Sequence, residues 1–478
     1  MARVGRLVIG ALLLATVAAY ANAFAGAFLF DDRAVILDDA RLASPAAFFS
    51  HVTGTIRPLT KFTFLVDRQL YGSQPAGYHL LNLLLHLASG ALAWALVRRL
   101  GANDGLALWT AALFLLHPIA TETVTYISGR PTGLMACLYL SAFLLFLVAR
   151  EAHGDRRRRV VAATGAATCL GLSLLSKETA VVFPVLLVLY EIVLGRTGVS
   201  VRPTSRAGGV ALHAALGGTV AISLVAAAFH ARYTYLFRYG LGLRGFGENL
   251  VTQARAVAYS LSLFVWPARL NFDHDVAVSA ALVAPGTLAA LAVLAALVGA
   301  ALAVVRRAPL FAFGVLWYFV HLLPTNSVFP RYDVLSERNL YLPALGLYLA
   351  VGAALAAVGR SAARWLGRRR PGNAGPAPTR RWLAPALVST LVLCLAGATA
   401  SRNRLYADPV LFWSDAVRKS PAKARPHTNL GQAWFEAGQV DKALSEFRTA
   451  LSLDPYDPVA RRNLLEAWKV KAGLPLGP

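Results

Sequence analysis

Apolar stretches of near bilayer-crossing length alternate with short polar connections from the start of the chain to about residue 400. A helix needs about 20 apolar residues to cross the hydrocarbon. Eleven segments come close to that: 7–29, 78–97, 105–120, 132–149, 160–175, 179–195, 209–230, 282–305, 309–324, 340–359 and 382–400. The pattern predicts an all-α, polytopic membrane helix bundle of about 11 spans over residues 1–401. One more apolar stretch, 248–268, carries Gln253 and Arg255 and ends at Pro267. It reads as a helix lying along, or dipping into, the interface.

Two long polar segments interrupt the pattern, a first loop at 31–76 and a linker at 360–381 that contains Pro371, Gly372, Gly375, Pro376 and Pro378. The linker's composition predicts a flexible connection. Residues 402–478 have soluble character and hold a repeat. Leu430, Gly431, Trp434, Ala443, Phe447, Ala450 and Pro455 stand at tetratricopeptide spacing, in which small residues let two helices approach and large ones fill the groove between them. Trp413, Ala416 and Pro421 fit the half-unit before it, and Leu464 and Trp468 the helix after it. So short an array is expected to lean on the membrane domain, since one repeat cannot bury its own apolar face.

Composition agrees with this division. Hydrophobic residues make up 57% of the 478 and charged ones only 15%, with a mean hydropathy of +0.54, which excludes a large soluble enzyme. The net charge of +23 does not signal nucleic acid. The basic residues gather in connections: Arg3 and Arg6, Arg98 and Arg99, Arg156 to Arg159, the segment with Arg196, Arg202 and Arg206, Arg306 and Arg307, and the 360–381 linker. All fall on one side if the eleven segments span, and the positive-inside rule makes that side the cytoplasm. The tail and the first loop then lie outside. Arg3 and Arg6 before an apolar run resemble a signal peptide, but an uncleaved first span is the better reading, because cleavage would detach the acidic pair that follows it. Cys137, Cys169 and Cys394 sit inside apolar segments, without the spacing of a disulfide framework or a metal site.

The outer connections carry the candidate chemistry. Asp31 and Asp32 stand where the first apolar segment runs out, and ionised groups at the edge of hydrocarbon are usually functional. Asp38 and Asp39 read as turn and cap residues. Arg57, Arg130, Lys177 and Arg338 are cations available to an anionic substrate, and Glu122, Glu178 and Glu337 are acids on the same face. Lys177 and Glu178 read equally well as an interfacial ion pair. In the second span His79, Asn82 and His86 share a helical face; His86, the deeper, reads as an interhelical hydrogen-bond partner, while His79 and His117 are nearer a ligand. Asp273, His274 and Asp275 have a spacing that could hold a divalent metal, although one short cluster is weak evidence. No cofactor is otherwise called for.

Taken in order, Phe30-Asp31-Asp32, Arg57-Pro58-Leu59-Thr60, Tyr78-His79 with Asn82 and His86, His117-Pro118 with Thr121-Glu122, Gly129-Arg130, Leu175-Ser176-Lys177-Glu178, and Glu337-Arg338 before Tyr341-Leu342-Pro343, followed by the repeat tail, resemble the transmembrane and tetratricopeptide-repeat O-mannosyltransferases and their bacterial relatives. The resemblance covers nearly the whole chain. It implies a GT-C type glycosyltransferase that takes a mannose-like hexose from a polyprenyl phosphate and delivers it to a hydroxyl of a protein or glycan. Asp31 or Asp32 would be the general base, and Arg57, Lys177, Arg338 and more weakly Arg130 would hold the donor phosphate. His79, His117, Glu122, Glu178 and Glu337 would line the substrate site. The Ala, Arg and Leu bias suggests a bacterium, and hence an inner-membrane protein with its site and tail in the periplasm.

Two other readings compete. A non-catalytic membrane scaffold would use the tail to recruit a partner, and a lipid-linked sugar transporter would need polar groups along a path through several spans. Charge concentrated at the outer ends of the spans favours surface chemistry over translocation.

Overall fold

The computed structural model describes residues 2–152, 154–195, 206–327, 329–368 and 378–475. Among these there are twenty α-helices and no strand. In chain order they are α1 (Ala2–Tyr20), α2 (Pro45–Ser50), α3 (Pro58–Tyr71), α4 (Pro75–Arg99), α5 (Asp104–Leu116), α6 (Thr121–Val124), α7 (Arg130–Glu151), α8 (Arg156–Ser176), α9 (Phe183–Val193), α10 (Arg206–Phe229), α11 (Ala231–Leu243), α12 (Phe246–Val265), α13 (Pro285–Val304), α14 (Pro309–Leu322), α15 (Tyr341–Arg368), α16 (Pro378–Asn403), α17 (Pro409–Lys419), α18 (Ala424–Glu436), α19 (Val440–Leu453) and α20 (Pro458–Lys471).

Seven helical stretches are long and apolar enough to cross a membrane among the described residues, or eight if α5 and the stretch Pro118–Val124, bent by 50°, count as one. The protein is thus a multi-pass membrane helix bundle. Among the described residues three of the eleven expected segments are broken or short, while the expected span 382–400 falls within α16 and partly outside the described side chains. Local chemistry explains the three. Pro118 cannot donate a backbone hydrogen bond and breaks 105–120. The segment 179–195 opens as a 3₁₀ turn, Glu178–Val182, before the eleven-residue α9, and α14 has fourteen residues. Helix α12 does not qualify as a span. Its Gln253 turns inward, donating to the Val334 carbonyl and accepting from the Asn326 amide.

The linker also differs from expectation. Helix α15 continues through Arg360 to Arg368 and α16 already begins at Pro378, so only 369–377 remain of the 360–381 linker, outside the described residues. Ser361-Ala-Ala-Arg-Trp-Leu is good helix-forming sequence, and the glycines and prolines start only after it. Most of the basic segment with Arg196 and Arg202 lies outside the described residues as well. The first loop is largely helical, with α2 and α3 inside it.

The chain connections sort into two ends. At one, Arg98 pairs with Asp104, Arg99 with Glu151 and Arg150 with Glu191. At the other lie Asp31, the α3 start, Lys177, the 329–340 segment and the tail. The four tail helices pack in succession, α17 on α18, α18 on α19 and α19 on α20. They join the membrane part through a shared core in which Leu29 and Tyr126 are buried with Tyr406, Phe412, Trp413 and Leu430.

Close helix approach holds the bundle's centre. Where α14 crosses α15, a Cβ on Gly314 or on Gly346 would run into the other glycine's carbonyl oxygen. Membrane helices depend on such contacts, because lipid offers no hydrophobic drive for helices to associate. Gly346→Leu is therefore expected to cost about 1–3 kcal/mol through overpacking. Gly299→Ala on α13, where a Cβ meets nothing within 4 Å, should leave stability within about 0.5 kcal/mol. Thermal melts of the two variants in detergent, side by side, check this.

Candidate active site

Two residues without glycine's freedom adopt left-handed backbone here, Phe30 (φ 46°) and Arg57 (φ 53°). Such conformations cost about 1–3 kcal/mol each and persist only where packing enforces them. The Phe30 ring is wedged edge-on against Phe272 and Trp413, with centroids 5.8 and 5.5 Å away. Directly after that turn the two aspartates part. Asp32 is fully buried, its Oδ2 accepting from the Leu29 amide at 2.9 Å and its Oδ1 from the Ser128 amide at 2.8 Å. Burial pushes its carboxyl up to about 7, against the pull of those two hydrogen bonds. Asp31 instead faces a cavity of about 630 Å³, and its amide donates to the Tyr126 hydroxyl at 3.1 Å. Burial raises its pKa too, with Arg338 acting in the opposite direction.

Arg41, Arg57, Lys61, Lys177, Arg232, Arg331 and Arg338 line that cavity, against two carboxylates, Asp31 and Asp333. Several of the cations are already paired. Arg57, fixed by its left-handed turn ahead of Pro58, donates from Nε and Nη2 to the two Glu178 oxygens at 2.9 and 2.6 Å. Burial alone would raise the Glu178 pKa, but Arg57 and Arg331 outweigh it and hold the carboxyl well below the usual range. Lys61 and Arg41 both bind Asp39, which also caps the short Ala40–Leu42 turn as the sequence suggested. Arg338 is set by Glu122, whose Oε2 accepts from the Arg338 amide at 3.0 Å and whose Oε1 lies 3.4 Å from Nε.

Lys177 differs. It is buried, and its Nζ donates to the Thr132 hydroxyl at 2.8 Å and the Asn339 side-chain carbonyl at 3.0 Å, both neutral. Burial, then the charge of Arg57, drives its pKa well down. The neighbouring Glu178 pairs with Arg57 rather than with Lys177. An anion entering the cavity would oppose both effects by favouring the charged form.

Four of the expected site residues are interior struts away from the cavity. Arg130 is wholly buried, bound to Asp67, to Asn82 Oδ1 at 2.8 Å and to the Tyr78 carbonyl at 2.9 Å, with its guanidinium 4.4 Å from the Phe64 ring centre. His79 packs inside against Gly26, whose backbone leaves no room for a Cβ. His117 spans from the Phe264 carbonyl to the Ile119 amide. Glu337 gathers the Asn271 amide, His274 and Arg402. Glu122 and Glu178 do not line the cavity: Glu122 reaches it through Arg338 and Ser336, and Glu178 through Arg57, while Glu178 itself lines the adjoining groove. His86 bridges Tyr341 and the Leu115 carbonyl. The Asp273-His274-Asp275 run does not form a ligand set: Asp273 is taken by Lys423 and Arg425 and His274 by Glu337, and no group of three or more His, Cys, Asp or Glu among the described residues could hold a metal.

Arg331, Arg232, Lys61 and Arg41 line the cavity and are not among the candidates the sequence offers. Arg331 stands in a run of loop charges with Asp333 and Arg338, which is a usable signal, whereas Arg232 follows a span end with no local signal. Arg57, Arg331, Ile56 and Tyr332 also border a second, apolar groove of about 730 Å³, lined by Leu224, Leu236, Phe237 and Phe329 among others.

No family model matches the chain. It is 23% identical over 465 residues to a protein O-mannosyl-transferase of Caenorhabditis elegans, covering 93% of this chain and 62% of that one. It is 32% identical over 218 residues to the protein O-mannosyl-transferase Tmtc3 of Drosophila melanogaster, covering 38% of this chain and 23% of that one. The chain thus spans less than two thirds of the length of these relatives. Among solved structures it is similar to ArnT from Cupriavidus metallidurans bound to undecaprenyl phosphate, with a TM-score of 0.46 and 15% identity over 98% of this chain and 78% of that one.

Two buried cations separate structure from binding. Arg130→Met leaves Asp67 without its partner and is expected to cost about 3–5 kcal/mol. Lys177→Met leaves no carboxylate stranded and should melt within about 1 kcal/mol of the parent, since apolar groups often replace a poorly compensated buried charge without loss. Thermal melts in detergent read both; a strongly destabilised Lys177→Met would reassign that lysine to the scaffold.

Proposed function

We propose that this chain, a relative of the transmembrane protein O-mannosyl-transferases, is a GT-C type membrane glycosyltransferase. It moves a mannose-like hexose from a polyprenyl phosphate to a hydroxyl of a protein or glycan on the outer face of the membrane, with inversion at the anomeric carbon. The reading is carried by one observation, a half-buried carboxylate, Asp31, sharing a cavity with an excess of cations that opens toward an apolar groove. The polyprenyl chain would lie in the groove, with its phosphate between Arg57, Arg331, Lys177 and Arg338 and the sugar toward Asp31.

The chemistry follows from charge. Asp31 takes the acceptor's proton as its oxygen bonds to the anomeric carbon, and the carbon–oxygen bond to phosphate breaks with its electron pair going to the phosphate. The donor phosphodiester carries one negative charge and departs as a monoester carrying two, so cations fixed around it bind the transition state better than the ground state. Asp32 holds the turn. We read α18 and α19 as one tetratricopeptide unit, supported by Gly431, where a Cβ would strike the Phe447 ring, with α17 and α20 as half-units on either side. The basic end of the bundle would face the cytoplasm and, in a bacterium, the cavity and tail would face the periplasm. A scaffold has no use for a buried lysine among neutral partners, which favours the enzyme.

Asp31→Asn should insert and melt like the parent while transfer falls by about 10²–10⁴-fold, the worth of a general base. Asp32→Asn presents an amide to one of two buried N–H groups, so it should lose about 1–3 kcal/mol of stability as well as activity. Transfer undiminished in Asp31→Asn refutes the base. The reaction needs ionised Asp31, so kcat/KM falls as pH drops through its pKa. Burial places that acid limb above the ordinary 3.8, and Arg338→Gln, removing a neighbour that lowers the pKa, should move the limb to higher pH. A pH–rate profile of both proteins measures it, with an unmoved limb counting against Asp31.

A further inference from the structure

One side chain of the tail touches both sides of the cavity's wall. Arg425, at the start of α18, donates from Nε and Nη2 to the two Asp273 oxygens at 2.6 Å each, and from Nη2 to Asp333 Oδ1 at 2.6 Å. Its guanidinium carbon also lies 5.8 Å from the Phe30 ring centre and 5.1 Å from that of Tyr332. Both neighbourhoods matter. Phe30 is the strained residue whose turn presents Asp31, and Tyr332 and Asp333 follow Arg331 in the cavity wall. Asp273 is nearly inaccessible and is also held by Lys423, so it is a fixed anchor. A planar fork bound on one side to that anchor can hold a second carboxylate at a set distance, which a flexible surface ion pair cannot do.

The structure assigns Arg425 as a positioning residue for the membrane cavity: it ties the Asp31-bearing turn to the segment carrying Arg331 and Asp333, so that the tail braces the cavity wall from behind. The assignment deepens the function proposed above and rests on it for the phosphate, though not for the clamp itself. A tail that only recruits acceptors would have no need of contact with the residue before the base. Here it contacts that residue and the wall opposite with the same guanidinium.

The test uses the full chain in detergent with Arg425→Gln, Arg425→Lys, Asp333→Asn and the Arg425→Gln/Asp333→Asn double variant. One readout is the rate of tryptic cleavage after Arg331, which reports local opening of the segment. Arg425 precedes Pro426, so its replacement does not alter the set of cleaved bonds. The other readout is the affinity for farnesyl phosphate. Arg425→Gln and Asp333→Asn should each speed cleavage and weaken the probe by about tenfold, the double variant should do no more than Arg425→Gln, and Arg425→Lys should stay within about threefold of the parent. Asp333→Asn leaves the Arg425–Asp273 pair and the Trp413–Phe30 contact in place, so its loss cannot be blamed on a detached tail. Parental cleavage rates in both single variants, effects that multiply in the double variant, or faster cleavage with unchanged probe affinity would each overturn the assignment. A parent that binds no farnesyl phosphate defeats the donor reading instead, and the cleavage rates alone then decide the clamp.

Discussion

A lysine withdrawn from water with no carboxylate against it can carry its charge only at a cost, and the rest of this site is arranged around such a group, Lys177. A buried ion loses hydration worth several kcal/mol unless a counter-charge and hydrogen bonds replace it. Thr132 and Asn339 supply the hydrogen bonds but no charge, and the nearest acid, Glu178, is committed to Arg57. On the function proposed above, the missing charge is the one a donor phosphate would bring. Arg331, which makes no ion pair among the described residues, stands in the same cavity.

The other charges at this end fix positions. Asp39 holds Lys61 and Arg41, Glu122 orients Arg338, and Asp67 neutralises Arg130 beneath the cavity floor. Strain is distributed by the same logic. The left-handed turns at Phe30 and Arg57 each put a charged group where an unstrained backbone would not, and each is held by a partner far along the chain, Trp413 for the first and Glu178 for the second. In the reaction proposed above, preorganised charge of this kind would be effective because it needs no rearrangement as the leaving group gains its second negative charge.

The bundle and the location of its chemistry were legible in sequence because hydropathy and the clustering of basic connections are local signals. Asp31, Lys177 and Arg338 could be found by looking where apolar segments end, and Arg57 by reading the long polar loop between the first two of them. The outcome within each pair of candidates could not be read that way. Asp31 and Asp32 are adjacent, and only the amides of Leu29 and Ser128, the second almost a hundred residues away, mark Asp32 as the buried one. Arg130, His79, His117 and Glu337 carry the same chemical groups as true cavity residues. What removes them is tertiary burial against Asp67, Gly26, Phe264 and Arg402. The Asp273-His274-Asp275 run likewise looked like ligands only until Lys423 and Arg425 came to meet it from the tail.

That last contact changes what the tail is. Hydrophobic burial already argues that membrane part and tail are one unit, since Leu29 and Tyr126 complete a core with Phe412, Trp413 and Leu430 that neither part holds alone. Beyond 401 the chain therefore cannot be treated as a module attached by a linker, and the boundary itself falls inside the last turns of α16. Arg402 on that helix reaches Glu337, which holds Asn271 and His274 beside the Asp273 anchor. On the function proposed above, an acceptor recognised by the tail would meet the packed unit that carries Asp31, so recognition and turnover would be mechanically joined rather than separated by a flexible tether.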